Sequence, residues 1–206
     1  MDAEKAIITV GREYGSGGHD IAKLLAVMLK VPFYDKEIIT LAARQSGICE
    51  ELFESHDEKN VPSYLFSLVT NTGEMPVVGS ASDLPLNHRI FMAQFEAITR
   101  VALQGPCVIV GRCSNYVLKG LPGVTNVFVY GEVEARIRRI MQVEKLPYDQ
   151  AKERVRKVDK QRQGYYNFFA DGNWGHRSNY HLMLSSTGVT QEAVAQTIID
   201  YVRGRA

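Results

Sequence analysis

The residues of this chain that could carry chemistry gather where apolar runs end. Gly15, Gly17 and Gly18 stand in GREYGSGGH, residues 11–19, between the apolar run at residues 6–10 and a helical pattern that starts at Asp20. Glycines so placed allow positive φ angles and close approach, so backbone amides can wrap an anion. The helix that follows adds its unpaired amides and the positive end of its dipole. The same glycines would equally serve a tight turn with no ligand. No lysine stands in the loop. Arg12 is the nearest source of side-chain charge, and its planar fork suits phosphate oxygens. Its competing use is a surface ion pair with Glu13. His19, at the helix start, can also donate to phosphate.

Two further stretches carry charge. Arg112 follows Gly111 at the exit of the apolar run PCVIV, where a solvated arginine has no structural need to be. The segment RVRKVDKQRQGYY holds Arg154, Arg156, Lys157, Lys160 and Arg162 at helical spacing. An arginine from such a helix can stabilise transition-state charge, although a basic run is more often a solvated face. Tyr165, Tyr166, Phe168, Phe169 and Trp174 could stack on a base, but packing is the commoner use. His56, His88, His176 and His181 lack metal-ligand spacing. Cys49, Cys107 and Cys113 suit neither a metal site nor a disulfide framework, and Cys113 reads as a small packing residue.

Short, continuously apolar runs alternate with helical patterns along the whole chain. The strands expected at residues 6–10, 31–35, 106–110, 124–130 and 180–186 suit burial on both faces. Helices are expected near residues 20–30, 36–46, 88–104, 132–145, 147–169 and 190–204, the last with Thr190 as N-cap. That alternation predicts a parallel sheet covered by helices on both sides. Ligands in such sheets bind at the carboxyl ends of the strands. Residues 11–19, Asp35 and Arg112 all fall there.

The 206 residues suggest one domain. A net charge of +1 argues against a nucleic-acid binder that works through overall charge. No apolar run is long enough for a membrane span. A cytoplasmic protein, monomer or homodimer, is the expectation.

Several of these stretches together resemble one family. ITVGREYGSGGHDIAKLLA is similar to the phosphate loop of nucleoside monophosphate kinases, cytidylate kinase above all, in which Gly-Ser-Gly is followed by Lys and then Ser or Thr. With PFYDKEII, VIVGRCSNYVL, DKQRQGYYNFF, NWG and YHLML, the chain from residue 7 to about 202 resembles the cytidylate kinase-like family. The resemblance implies an α/β P-loop kinase fold: a three-layer sandwich around a five-stranded parallel sheet, with a helical lid and a substrate flap. The core would be residues 1–48 and 87–206, the flap about 49–86 and the lid about 147–177. ATP and Mg²⁺ would be the cofactors. The acceptor would be a small phosphorylated molecule, such as CMP or dCMP. A nucleotide-binding module that has lost turnover is the alternative.

The resemblance also implies site roles. Gly15, Ser16, Gly17, Gly18, His19 and Asp20 would bind the nucleotide. Asp35, Arg156 and Arg162 would be catalytic, with Arg12 the candidate replacement for the missing loop lysine. Asp35, Arg112 and Asp159 would bind the acceptor, and Asp35 would be the Mg²⁺ ligand. The competing use of Asp35 is to cap the helix that begins at Lys36. The chain departs from the pattern at several points. Gly18 stands where the loop lysine would be, and His19 or Asp20 near the hydroxyl that would hold Mg²⁺. Ile38-Ile39-Thr40-Leu41 replaces a flap arginine. Cys113 replaces the aspartate of Gly-Arg-Asp, and an earlier lid arginine falls on Val158.

Overall fold

The computed structural model describes residues 6–49, 51–52, 86–170 and 172–205, and elements are numbered over these. Nearly all of the expected flap, and His56 with it, lies outside the described residues. The order is β1 (Ile7–Arg12), α1 (Gly18–Leu29), β2 (Phe33–Tyr34), α2 (Glu37–Ser46), α3 (Leu86–Gln104), β3 (Cys107–Val110), α4 (Ser114–Val117), β4 (Val124–Tyr130), α5 (Val133–Glu144), α6 (Tyr148–Phe169), β5 (Leu182–Ser185) and α7 (Gln191–Gly204). The five strands form one parallel sheet in the order β2-β3-β1-β4-β5.

The strands read as continuous apolar runs because both of their faces are covered. Ile8, Val10, Val108, Val110, Val127 and Val129 pack under α1 and α7. Ile7, Cys107, Ile109 and Val124 pack under α2, α3 and α4. Successive residues of a strand point to opposite faces, so both registers are mainly apolar, with Thr9 and Thr125 among the buried polar members. Each fully buried Ile or Leu here is worth about 1.5–3 kcal/mol of transfer free energy. The element ends follow local chemistry. Gly47 closes α2 with φ 69°, and the Thr190 hydroxyl accepts from the Ala193 amide to open α7. The helix expected at Lys36 is present, but Lys36 itself is its N-cap, and no side chain caps it.

This topology places the site. α1 leaves β1 toward one face of the sheet, and α4 leaves the neighbouring β3 toward the other. A crevice therefore opens between the carboxyl ends of β1 and β3, the position where open α/β sheets take ligands.

Candidate functional site

The loop between β1 and α1 builds one wall of the crevice. Gly15 and Gly17 have φ 79° and 76°, left-handed values that an L side chain adopts only with strain. Gly17 is the N-cap of α1. The Ser16 hydroxyl donates to the Glu13 carbonyl and accepts from the Gly18 amide, so it is spent inside the loop. A cavity of about 210 Å³ lies over these residues. Arg12, from the last position of β1, lines it, as do Arg139 of α5 and Arg162 of α6. Three arginines and the open end of a helix dipole thus border one space, as do Glu13, Asp20 and Glu144, and the arginines and the helix end are the groups that can offer an anion charge and directed donors.

Beneath the loop lies a closed polar layer. Arg136 is 7% exposed. Its Nε donates to the Gly131 carbonyl at 3.0 Å, and its Nη1 to the Tyr14 carbonyl at 3.1 Å and to Asp159 Oδ2 at 2.5 Å. Glu13 Oε2 stands 3.2 Å from the same Nε and accepts the Gly131 amide. Burial pushes the Glu13 carboxyl up, against that amide and Arg136, which pull it down. Asp159 Oδ1 also accepts the Tyr14 amide at 2.7 Å. The Tyr14 ring has the guanidinium groups of Arg162 and Arg154 at 5.5 and 5.9 Å, and its hydroxyl donates to Glu144. Arg162 Nη1 donates to the Arg12 carbonyl. The loop is therefore fastened to α5 and α6 through its backbone, which leaves its upper face open.

The other wall is the exit of β3. Gly111, Arg112 and Cys113 have φ 70°, 52° and 55°. Two of the three are not glycine, and a left-handed L residue costs roughly 1–2 kcal/mol. Such strain clusters at functional sites. The turn sends the Arg112 side chain back into the protein, where it is 2% exposed. Its Nη1 donates to Asp35 Oδ1 at 2.6 Å and to the Val110 carbonyl. From there an alternating series of charges runs across the mouth of the loop. Asp35 Oδ2 lies 3.2 Å from His19 Nε2, His19 Nδ1 lies 3.3 Å from Asp20 Oδ1, and Asp20 Oδ2 accepts from Arg139 Nη2 at 2.6 Å. Burial alone would raise the Asp35 pKa. The His19 contact and the Arg112 guanidinium outweigh it and hold the carboxyl well below the usual range. The His19 pKa is raised, chiefly by Asp35, against its partial burial.

A second, much smaller cavity, about 20 Å³, adjoins the first. Arg112, Asn115, Trp174 and Tyr180 wall it, and Arg12 and Arg162 line both cavities. Tyr165 and Tyr166 border it from a packed aromatic cluster that includes Cys113. Their hydroxyls bond to Gln94 and Asn115, so most of the aromatic segment is packing, with one edge on the cavity.

The expected site residues divide accordingly. Gly15, Ser16, Gly17, Gly18, His19, Asp20, Asp35, Arg12, Arg112 and Arg162 come together around the crevice. Arg12 does not pair with Glu13, which Arg136 takes, and Asp35 does not cap α2, because Arg112 and His19 take its carboxylate. Asp159 is in the polar layer under the loop and faces neither cavity. Arg156 is 75% exposed and bonds to Glu153 one turn away, the solvated-face arrangement. Arg136 and Arg139 are the residues that sequence reasoning missed. The available signal was two arginines three apart, on the helix that leaves the strand next to β1 at the ligand-binding edge.

Comparison with known proteins follows the same lines. A model of the cytidylate kinase-like family matches residues 7–188. No match is found among curated proteins. A crystal structure of an uncharacterized protein from Eubacterium ventriosum ATCC 27560 is similar over 98% of this chain and 100% of that one, at 27% identity and a TM-score of 0.71. Shikimate kinase from Acinetobacter baumannii, in complex with shikimate, is similar over 97% of this chain and 93% of that one, at 14% identity and a TM-score of 0.52. At that identity the likeness is one of fold. Among the described residues no helix is long and apolar enough to cross a membrane.

Proposed function

The chain belongs to the cytidylate kinase-like family, and from that premise we propose that it is an ATP- and Mg²⁺-dependent kinase of a small anionic acceptor, with a nucleoside monophosphate such as CMP or dCMP as the first candidate. The observation that carries this reading is the convergence of Arg12, Arg139 and Arg162 on the glycine loop. Phosphoryl transfer needs little covalent chemistry from the protein and depends on positioning and on charge at the phosphoryl oxygens. The loop amides and the start of α1 would hold the donor phosphates. Arg12 and Arg162, which line both cavities, would neutralise the group in transit. Arg112 would hold the acceptor's own anion.

In the free chain Arg112 and Arg139 are each occupied by a carboxylate. An incoming phosphate would take over the half-exposed Arg139 from Asp20, while buried Arg112 would keep Asp35 beside it at the mouth of the loop. Mg²⁺ takes one or two carboxylates and keeps several waters, so Asp35 alone, whose carboxyl is held ionised by His19 and Arg112, would be enough to hold it in the presence of donor phosphates. When bound, the ion would supply charge against the phosphate oxygens.

One observation favours a second reading, a nucleotide-binding module without turnover: position 18 carries no side chain. ATP consumption measured with Mg²⁺ against CMP, dCMP, UMP, AMP, GMP and no acceptor separates the two, with thermal shift on the same samples. Acceptor-dependent ADP formation is expected. Stabilisation by ATP without ADP would favour the binding module. Neither signal would remove both.

A further inference from the structure

Two departures of the loop from the phosphate-binding pattern, at positions 12 and 18, are a single change. When Gly17, Gly18 and His19 are laid on the last three positions of Gly-x-x-x-x-Gly-Lys-[Ser/Thr], the first glycine of the pattern falls on Arg12. Where the pattern has glycine this chain has the cation, and where the pattern has the cation it has glycine.

The geometry links the two positions. Unlike Gly15 and Gly17, Gly18 is not among the residues with positive φ, so its backbone conformation does not call for glycine. Space does. A Cβ on Gly18 would lie 2.6 Å from the Arg12 Cβ and 3.1 Å from the Val129 Cβ. Carbon atoms in good contact sit about 3.5–4.0 Å apart. Neither partner can move aside, because Arg12 is tied into the sheet opposite Val129 and Gly18 opens α1. A side chain can root at this point from β1 or from α1, but not from both.

We propose that Arg12 and Gly18 form a coupled exchange that moves the phosphate-binding cation of the loop from helix α1 to strand β1. The proposal rests on the phosphate-loop reading given above. The ligand it concerns is the polyphosphate end of a nucleoside triphosphate. Arg12 is 8% exposed, starts where a lysine at position 18 would start, and lines both the loop cavity and the adjoining one. Its charge also acts on Asp35, across the mouth of the loop. A cation rooted on the strand thus serves both halves of the crevice.

The test is a set of variants measured for binding of inorganic tripolyphosphate and MgATP by calorimetry, and for melting temperature. R12G should weaken binding at least about tenfold, the size of one charge-assisted contact. G18K in the native background should lower both the melting temperature and binding. R12G/G18K should recover most of the lost affinity. R12A/G18K should not, because alanine keeps the Cβ that a side chain at position 18 would strike. Equal behaviour of R12A/G18K and R12G/G18K would overturn the coupling, as would effects in R12G/G18K that merely add. Should the native chain bind neither probe, the phosphate-loop reading fails by itself. The steric half is then decided by G18A, which should destabilise the native chain more than the R12G background, where the 3.1 Å approach to Val129 remains.

Discussion

Arg136 and Arg139 stand three residues apart on one helix, and they mark two regions built from the same materials for opposite ends. Under the loop, Arg136 is 7% exposed and is tied to two backbone carbonyls and two carboxylates. Over the loop, Arg139 is 35% exposed and holds one partner, Asp20, itself 52% exposed. A buried ion pair that loses one member leaves an uncompensated charge, so the lower layer is costly to break. A half-solvated pair is worth little and exchanges readily. Charges under the loop fix its backbone, while charges over it are stored in pairs that a ligand can displace.

Substitutions test that contrast in order of size. Arg136→Ala should be the most severe, destabilising by about 3–5 kcal/mol in chemical denaturation, because Asp159 and Glu13 lose their counter-charge together. A loss no larger than that of an exposed pair would erase the distinction between the two layers. Arg12→Ala and Arg162→Ala should each cut turnover at least about tenfold, the scale of one transition-state charge contact. Unchanged turnover in either variant would remove that residue from the proposed mechanism. Arg139→Ala should change stability by less than about 1 kcal/mol. It should nonetheless weaken ATP binding, seen as a smaller thermal shift.

The pH dependence of the mouth should be gentler. The folded-state pKa of His19 lies above its ordinary value of 6.5, so the stability it contributes is complete below that value and fades as pH rises through the folded pKa. His19→Gln should therefore flatten the decline in melting temperature on the alkaline side of 6.5. Asp35 works in the opposite sense. Its pKa is depressed, so its contribution is present above the ordinary 3.8 and is lost only in stronger acid. Arg156→Ala should leave both activity and stability unchanged. A loss of turnover in that variant would return it to the site.

The sheet was legible because its evidence is local and repeated. Ile7 to Val10, Cys107 to Val110 and Val124 to Val129 are short, mostly apolar runs that suit strands covered on both faces. The glycine loop was legible for a related reason, since Gly15 and Gly17 answer a backbone requirement. The arginines were harder. Arg136, Arg139 and Arg156 look alike in sequence, and their separation depends on which side of α5 or α6 meets the loop. The Asp-x-x-Arg of residues 159–162 meets the loop through the bond of Arg162 to the Arg12 carbonyl. Its aspartate, however, is committed to Tyr14 and Arg136 beneath it. No residue type announced the left-handed turn at Arg112 and Cys113, which accompanies the pairing of Arg112 with Asp35, 77 residues away in sequence.

Arg12 and Arg162 each form part of the wall of both cavities. A guanidinium drawn toward an anion on one side is reset for an anion on the other. On the proposed reading, the affinity for donor therefore depends on whether acceptor is present, and linkage makes the dependence mutual and equal in both directions. The ternary complex would then differ in stability from the sum of the two separate bindings by that one coupling energy, whichever ligand arrives first.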